Sequence, residues 1–268
     1  MKNKILKPQH FLVGPDGKQL QKPIKRLSEK QDGKVLCIYV PSTGPSMYRE
    51  FVDNLFRITH PRNIARLRPL GITEYFVKIH STFPICRNRN EIVYIAQKNQ
   101  ADLLMCLDND MTHPDDIIYQ LAKYNLPIVS GIYHHQSPPH LPVIYRCKKE
   151  SEYTHYYDYP TDTMFDVDLV GMGCILIDMR VFDEIKPPYF KYDSNREDGV
   201  VNITEDVEFC KKVRKAGFSI MIDPAIQCNH LTTGKISNLQ FKAFIQKYET
   251  YDKLLEIFGD GSGPNITR

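Results

Sequence analysis

The chain has 268 residues, of which 42% are hydrophobic and 25% are charged, and its formal net charge is +3 at pH 7. This composition is ordinary for a soluble globular protein, and the length suits one large α/β domain or two small ones. The sequence has no run approaching 18 uninterrupted apolar residues, which excludes a predicted membrane span. The amino terminus lacks a continuous apolar segment, so no signal peptide is predicted.

The seven cysteines are scattered singly along the chain, and no CxxC pair is present. Three of them, Cys37, Cys106 and Cys174, lie inside apolar runs that are typical of strands. This pattern predicts small buried thiols in a reducing compartment and disfavours a disulfide or zinc framework. We therefore expect a cytoplasmic protein.

The first half of the chain is predicted to alternate strands with helices. Residues 1–33 are polar with little periodicity, which indicates an arm or extension. Continuous apolar runs predict four strands, at residues 35–40, 74–79, 103–107 and 127–133. Helical stretches are predicted up to about residue 59, over 89–99 and from Pro114 onward. This alternation predicts right-handed βαβ units and an open parallel sheet.

The second half is predicted to form a mixed sheet. A loop rich in histidine and proline is followed by a short strand and then by one long strand over residues 168–178, which contains Gly171 and Gly173. Glycines inside a strand indicate a bulge or a close approach. A helix is predicted after Thr204, which is a suitable N-cap residue, and Gly217 is predicted to end it. A strand over 219–224 and a carboxyl-terminal amphipathic helix follow.

Two carboxylates stand where the apolar run LLMCL ends, in the sequence Asp108-Asn109-Asp110. Asp and Asn are common in solvated turns, and a D-x-D sequence alone is a weak signal. The position at the carboxyl end of a central strand favours a functional site, since ligands of open α/β sheets bind there. Hard oxygen ligands of this kind suit Mg²⁺ or Mn²⁺, which in turn bridges a diphosphate.

Three further groups have both a structural and a functional interpretation. Glu205 and Asp206 either only stabilise the start of a helix through their negative charge, or one of them also acts as a general base. His230 is either a core histidine or a nitrogen ligand that favours Mn²⁺. A cluster of four arginines is either a solvated face or a contact for phosphates; its members are Arg57, Arg62, Arg66 and Arg68. The histidines of the proline-rich loop are interpreted as the rim of a pocket; they are His134, His135 and His140.

The ordered set of motifs resembles the GT-A fold glycosyltransferases, and is most similar to the broad family-2 type and to related small bacterial and phage enzymes. The resemblance covers roughly residues 34–232, and its most specific segments are RNRNEIV…ADLLMCLDNDM, VDLVGMGCILID and ITEDVEFCKKVRKAGF. It implies an α/β GT-A-type fold, in which a mostly parallel nucleotide-binding sheet flanked by helices continues into a mixed sheet on the acceptor side. It also implies a single catalytic domain over residues 34–268, with a nucleotide-sugar half (34–133), an acceptor half (134–235) and a carboxyl-terminal helix and tail (236–268).

The resemblance implies metal and donor roles for particular residues. Asp110 would bind Mn²⁺ or Mg²⁺, Asp108 would bind the metal or the donor ribose, and His230 would be the further metal ligand. Asn109, between the two carboxylates, would belong to the donor site. Pro41 and Ser42 would contact the base or ribose of the nucleoside diphosphate sugar, and Arg89 would reach the donor.

The acceptor side is implied in the same way. Gly171, Met172 and Gly173 would line it, and Asp206, with Glu205 as its substitute, would be the general base, which implies inversion at the anomeric carbon. The acceptor is expected to be a glycan or another hydroxyl compound, or alternatively a hydroxymethylated base in DNA. Absence of tryptophan and of a QxxRW motif argues against a processive membrane polysaccharide synthase.

Two alternatives from other classes are a nucleotidyltransferase and a binding module without catalytic activity. A nucleotidyltransferase is expected to have a glycine-rich phosphate loop after the first strand, for which PSTGPS is a poor match. The presence of all three polar groups, in the DND loop, at Glu205-Asp206 and at His230, disfavours an inactive module.

Overall fold

The computed structural model describes residues 33–42, 44, 46–149, 152–192, 204–232 and 235–247. The predicted arm, apart from Gly33, and the chain beyond residue 247 lie outside the described residues. Within the described part, no helix is both long and apolar enough to cross a bilayer.

Strands and helices of the described residues are numbered in chain order. The strands are β1 (Lys34–Pro41), β2 (Ile72–His80), β3 (Leu103–Leu107), β4 (Met111–Thr112), β5 (Ile128–Ile132), β6 (Ile144–Lys149), β7 (Glu152–His155), β8 (Phe165–Val167), β9 (Leu169–Val170), β10 (Cys174–Asp178), β11 (Ile220–Gln227), β12 (Asn229–Leu231) and β13 (Lys235–Ile236). The α-helices are α1 (Arg49–Ile58), α2 (Pro61–Ala65), α3 (Ile85–Lys98), α4 (Ile117–Ala122), α5 (Glu205–Lys215) and α6 (Asn238–Lys247).

A seven-stranded sheet in the order β2-β1-β3-β10-β5-β11-β8 forms the centre of the fold. Strand β1 runs parallel to β2 and β3, and β5 runs parallel to β11, whereas β10 is antiparallel to both β3 and β5 and β8 is antiparallel to β11. Five of the seven strands therefore share one direction, and the predicted α/β class with a mostly parallel sheet is confirmed. The carboxyl ends of β1, β3, β5 and β11 meet the amino end of β10 at one edge, which we call the carboxyl edge.

The apolar runs of the sequence become fully buried strands. Every residue of β3, β5 and β10 is buried, as continuous hydrophobic strands covered on both faces require. Helix α3 packs against β1, and α4 packs against β5, β10 and β11. The inward faces of α3 and α5 are apolar except at their amino-terminal turns, where Arg89 and Glu205 are buried.

The predicted strand over residues 168–178 is divided in the structure. Its first part is β9, which pairs with β6 in a small sheet, and its second part is β10 in the central sheet. The break falls at Gly171–Gly173, where the backbone passes close to the ring of Tyr133. The sequence conceals this break because the segments on either side of it are equally buried and apolar.

Two helices begin at other positions than the predicted ones. Helix α3 starts at Ile85, four residues before the predicted start, and α4 starts at Ile117 after a turn that begins at Pro114. Helix α5 starts as predicted after Thr204, but the Thr204 side chain makes no capping bond to the backbone. Its hydroxyl donates to the Asp206 carboxylate.

Two small antiparallel sheets accompany the central one. The first sheet has the order β13-β12-β4, and it joins the segment that follows the DND loop to the segment that carries His230. The second has the order β7-β6-β9 and lies next to the Gly171–Gly173 break. The first of these sheets decides the geometry of the candidate site, because His230 pairs with Met111 in it.

Candidate active site at the carboxyl edge

The DND loop is held at both of its ends. At its entry, the Asp108 N–H donates to the Gly173 carbonyl over 3.1 Å, so the loop is attached to the amino end of β10. At its exit, the Leu231 N–H donates to the Asp110 carbonyl over 2.7 Å, beside the β4–β12 pairing. Strand β3 therefore ends in two carboxylates whose backbone is fixed by two other segments of the chain.

His230 is brought next to Asp110 by this pairing. Its Nε2 lies 4.0 Å from Asp110 Oδ1, and its Nδ1 contacts the His134 carbonyl oxygen. Because a carbonyl only accepts hydrogen bonds, Nδ1 must carry the proton, and the Nε2 lone pair of the neutral ring faces Asp110. The ring also packs edge-on against Tyr133, with centroids 5.2 Å apart.

Asp110 is the most accessible of these groups, with 36% of its side chain exposed. The Gln136 side-chain amide donates to Asp110 Oδ2 over 3.2 Å and to the Leu231 carbonyl over 3.0 Å. Gln136 therefore orients one carboxylate oxygen and leaves the other, Oδ1, facing His230.

Arg89 lies beneath the DND loop in a buried charge cluster with Asp108 and Glu205. Its Nε donates to Glu205 Oε1 over 3.1 Å, and its Nη2 lies 3.6 Å from Asp108 Oδ1. Asn88 fixes the start of α3 by accepting from the Tyr39 hydroxyl and donating to the His80 carbonyl. The contact of Arg89 with a donor stays a prediction. In the structure only 5% of the residue is exposed, and its guanidinium pairs with Asp108 and Glu205.

The charge cluster is not fully satisfied. Asp108 Oδ1 and Arg89 Nη1 are buried and make no hydrogen bond within the described part of the chain. Burial raises the pKa of Asp108, although Arg89 opposes this shift. Burial also raises the pKa of Glu205 to about 6, and the neighbouring Asp206 adds to the increase while Arg89 opposes it.

The two acidic residues at the start of α5 point in different directions. Glu205 is 6% exposed and contacts Arg89, whereas Asp206 is only partly buried. Asp206 Oδ1 accepts from the Thr204 hydroxyl and from the Val207 N–H. Successive residues on a helix lie about 100° apart, which is why one carboxylate is internal and the other is at the surface.

The Gly171–Gly173 segment contributes backbone to the site, since Met172 is 1% exposed. The Tyr133 hydroxyl accepts from the Gly173 N–H over 3.1 Å. A Cβ atom on Gly173 would lie 2.5 Å from Met111 Sδ and 3.2 Å from Asp108 Oδ2, and one on Gly171 would lie 2.0 Å from the Tyr133 hydroxyl. Glycine is therefore required for the close packing of β10 against the DND loop.

Gly171→Ala is expected to destabilise the protein by about 1–3 kcal/mol, because the methyl group overlaps the Tyr133 ring and Val143. Urea denaturation measures the loss as a lower transition midpoint. Gly44→Ala is the matched control, since a Cβ there meets no atom of the described residues within 4 Å. Equal stability of the two variants would contradict the contact.

The residues predicted to meet the nucleotide lie at the same edge. Strand β1 pairs with β3 with Tyr39 opposite Cys106, so Pro41 stands beside Asp108 in register. Ser42 is 4% exposed, and its hydroxyl donates to the Gly44 carbonyl over 2.7 Å. Asn109 is partly exposed between the two carboxylates.

Two of the four clustered arginines are neutralised by acidic residues. Arg57 contacts Asp115 over 3.0 Å, and Arg66 contacts Asp116 over 2.6 Å while its guanidinium lies 4.1 Å from the centre of the Tyr119 ring. Both aspartates precede α4, which begins at Ile117.

Sequence reasoning did not identify Tyr133 and Gln136 as residues of the site. It assigned the histidines of the same loop to the rim of a pocket. His134 is fully buried and packs against Phe241, with ring centroids 5.5 Å apart, so it does not form the predicted rim. Tyr133 directly follows β5, and the rule that parallel strands end at one edge could have indicated it. Gln136 had no comparable signal.

No protein-family model and no curated protein sequence matches the chain. Among solved structures, A197 from STIV aligns over 75% of this chain and 86% of its own, with 19% sequence identity and a TM-score of 0.49. The catalytic domain of Drosophila β1,4-galactosyltransferase 7, in a complex with xylobiose, aligns over 71% of this chain and 65% of its own, with 16% identity and a TM-score of 0.38. Similarity at this level supports no conclusion about activity.

Proposed function

We propose that the protein is a GT-A-type glycosyltransferase that moves a sugar from a nucleoside diphosphate sugar to an acceptor hydroxyl. The observation that carries the proposal is the meeting of Asp108, Asp110 and His230 at the carboxyl edge. These residues come from chain segments more than 100 positions apart, and the β4–β12 pairing brings the segments together. Ligands of open α/β sheets bind at this edge.

The three side chains are proposed to hold a divalent cation. Two carboxylates and an imidazole nitrogen are oxygen and nitrogen ligands that suit Mn²⁺ better than Mg²⁺. The His230 Nδ1–H is held by a backbone carbonyl, as is usual for metal-ligating histidines, and this leaves Nε2 free to bind. Bound there, the cation supplies a Lewis acid that neutralises charge on the leaving diphosphate.

The donor is proposed to lie along the ends of β1 and β3. Pro41 beside the DND loop and Asn109 within it are proposed to contact the nucleoside. The backbone of Ser42 is proposed to take part as well, since the Ser42 hydroxyl is occupied within the protein. We assign Arg89 a positioning role: it holds Asp108 on one side and Glu205 on the other, and so fixes the relation between the donor loop and the start of α5.

Asp206 is the proposed general base. As the acceptor oxygen forms its bond to the anomeric carbon and the bond to the diphosphate breaks, the acceptor proton passes to the Asp206 carboxylate. A single displacement of this kind inverts the anomeric centre. Glu205 is less suited to the role, because it is buried and paired with Arg89.

The proposed acceptor is a glycan or another hydroxyl compound. The alternative of modified DNA is based on the arginine cluster and on the basic amino-terminal arm. Arg57 and Arg66 of the cluster are paired with aspartates, and the arm lies outside the described residues. A DNA acceptor would require binding that weakens steeply with salt. Acceptor binding that is insensitive to salt would therefore fit the glycan.

Nucleotide binding is expected to require Mn²⁺. In a thermal-shift panel, one class of nucleoside diphosphate or nucleotide sugar should stabilise the protein only when Mn²⁺ is present. A ligand at roughly 100 times its Kd adds about 2.7 kcal/mol. Stabilisation by nucleoside triphosphates alone would favour a nucleotidyltransferase, and binding without turnover would favour an inactive module.

Asp110→Ala is expected to abolish this Mn²⁺-dependent binding, because it removes an exposed carboxylate ligand without disturbing the core. Calorimetric titration with the identified nucleotide measures the loss. Asp53→Ala, on an exposed part of α1, is the control and should bind normally. Unchanged binding by Asp110→Ala would remove the DND loop from the proposal.

A further inference from the structure

A second group of potential metal ligands lies buried beneath the candidate site. His113, Cys174 and Cys228 each offer one ligand atom, and these atoms all lie within 4.8 Å of one another. The three residues are 6%, 0% and 1% exposed. None of them takes part in the proposed transfer reaction, so their clustering calls for a separate explanation.

The ring of His113 is already oriented as a ligand. Its Nε2 lies 3.0 Å from the Gly173 carbonyl oxygen, so Nε2 carries the proton and Nδ1 has the free lone pair. Nδ1 is buried and has no hydrogen-bond partner in the described part of the chain. Burial also lowers the pKa of His113 to about 4, which keeps the ring neutral. Metal-ligating histidines usually donate their other N–H to a carbonyl or carboxylate in this way.

The backbone around His113 is fixed as well. The buried side chain of Asn54 on α1 donates to the His113 carbonyl over 2.9 Å and accepts from the His113 N–H over 2.7 Å. The ring therefore has little freedom to turn toward another partner. His113 thus combines a fixed ring and an unpaired nitrogen with a ligand atom that lies within 4.8 Å of both thiol sulfurs. This combination indicates a site for an ion that binds all three residues.

We propose that His113, Cys174 and Cys228 bind one zinc ion. Zinc prefers cysteine sulfur and histidine nitrogen in this combination. Two thiolates and a neutral imidazole balance the charge of a divalent ion, so the complex is neutral, as a site in an apolar core requires. Binding releases the two thiol protons to solvent, and no oxidation or reduction takes place.

The proposed ion joins the segments that build the active site. Cys174 directly follows Gly173, whose carbonyl accepts from both His113 and the Asp108 N–H. Cys228 directly precedes β12, which carries His230, and His113 directly follows β4. The ion would therefore hold these segments in place without contacting substrate. This inference does not depend on the proposed transferase activity.

The metal content of the full chain tests the proposal. The protein is purified without metal-affinity resin and dialysed against buffer containing a weak chelator, and zinc is measured by mass spectrometry. We expect about one zinc per chain, as for a high-affinity structural site. Cys174→Ser and Cys228→Ser should lose it, and Asp110→Ala should keep it, because that residue belongs to the separate DND site.

Cys210→Ser is the matched control, since Cys210 is equally buried but contacts the Val170 carbonyl instead. If the cysteine variants do not fold, the wild-type chain is loaded with Co²⁺ instead. Co²⁺ bound by two thiolates gives an intense sulfur-to-metal absorption band, and added zinc should remove this band by displacing the cobalt. Zinc content near zero in the wild type, a chain that takes up no cobalt, or a Cys174–Cys228 disulfide found by peptide mapping would each overturn the proposal.

Discussion

Arg89→Met is expected to destabilise the protein by about 3–5 kcal/mol, although methionine fills a similar volume. The substitution removes the cation that Asp108 and Glu205 share, and it leaves the buried Glu205 and the partly buried Asp108 without it. Urea denaturation at neutral pH measures the change in the free energy of unfolding. For a chain of this size, each kcal/mol also lowers the Tm by roughly 2–4 °C.

Arg87→Met on the same helix is the control. Arg87 forms an ion pair with Glu91, but 66% of its side chain is exposed, so its loss should cost at most about 1 kcal/mol. If the two variants were equally stable, the buried cluster would not have the energetic role that its geometry indicates.

The pH dependence of this loss has a definite sign. The pKa of Glu205 in the folded protein is raised to about 6, above its usual value of 4.5, so protonation favours the folded state. Without Arg89, the folded-state pKa rises further. The penalty of Arg89→Met should therefore be largest well above pH 6, where Glu205 is ionised in both folded proteins. It should decrease as the pH falls to about 6 and stay level below that, where Glu205 is protonated in both. Adding Glu205→Gln to Arg89→Met should recover part of the loss at neutral pH, since it removes one of the buried charges.

Sequence reasoning did not identify the buried ion pairs of Arg89, for a physical reason. Arginine is almost never buried unless it is paired, and its partner Glu205 lies 116 positions away in the chain. The predicted helix start at residue 89 also placed Arg89 at a loop boundary, whereas Pro84 precedes a helix that begins at Ile85. A local pattern contains no information about a pairing of such long range.

The location of the candidate site was predictable because it follows from strand direction. The apolar runs of β1, β3 and β5 were sufficient to predict a parallel sheet, and polar residues after such strands meet at one edge. The pairing of β4 with β12 was not predictable, because two strands of two and three residues have no periodic signal. That pairing is what places His230 4.0 Å from Asp110.

The break at Gly171–Gly173 is a second feature that depends on contacts distant in sequence. Both glycines were predicted to mark a bulge or a close approach, but the residues that require them are distant in sequence: Tyr133, which follows β5, and for Gly173 also Met111 of β4. A run of buried apolar residues looks continuous in sequence even where the chain leaves one sheet and enters another. Tertiary contacts decide such breaks, and residue periodicity does not report them.

Asp206→Asn is expected to lower the turnover number by about 100- to 10,000-fold while the affinity for the donor stays unchanged. Asparagine has nearly the same shape, and its side-chain oxygen can still accept from the Thr204 hydroxyl and the Val207 N–H, so the start of α5 should be preserved. What is lost is the ability to take the acceptor proton. Initial rates with saturating donor measure the effect, and calorimetry with the nucleoside diphosphate measures the affinity.

Glu208→Gln is the matched control, because Glu208 is a partly exposed acid of the same helix that pairs with Lys212 over 3.6 Å. It should retain wild-type turnover. Glu205→Gln separates the two neighbouring acids: it removes the partner of Arg89, so its main effect should be on stability and not on the proton transfer. Wild-type turnover in Asp206→Asn together with a large loss in a folded Glu205→Gln would move the base to Glu205, and the ion pair with Arg89 would then have to open during the reaction.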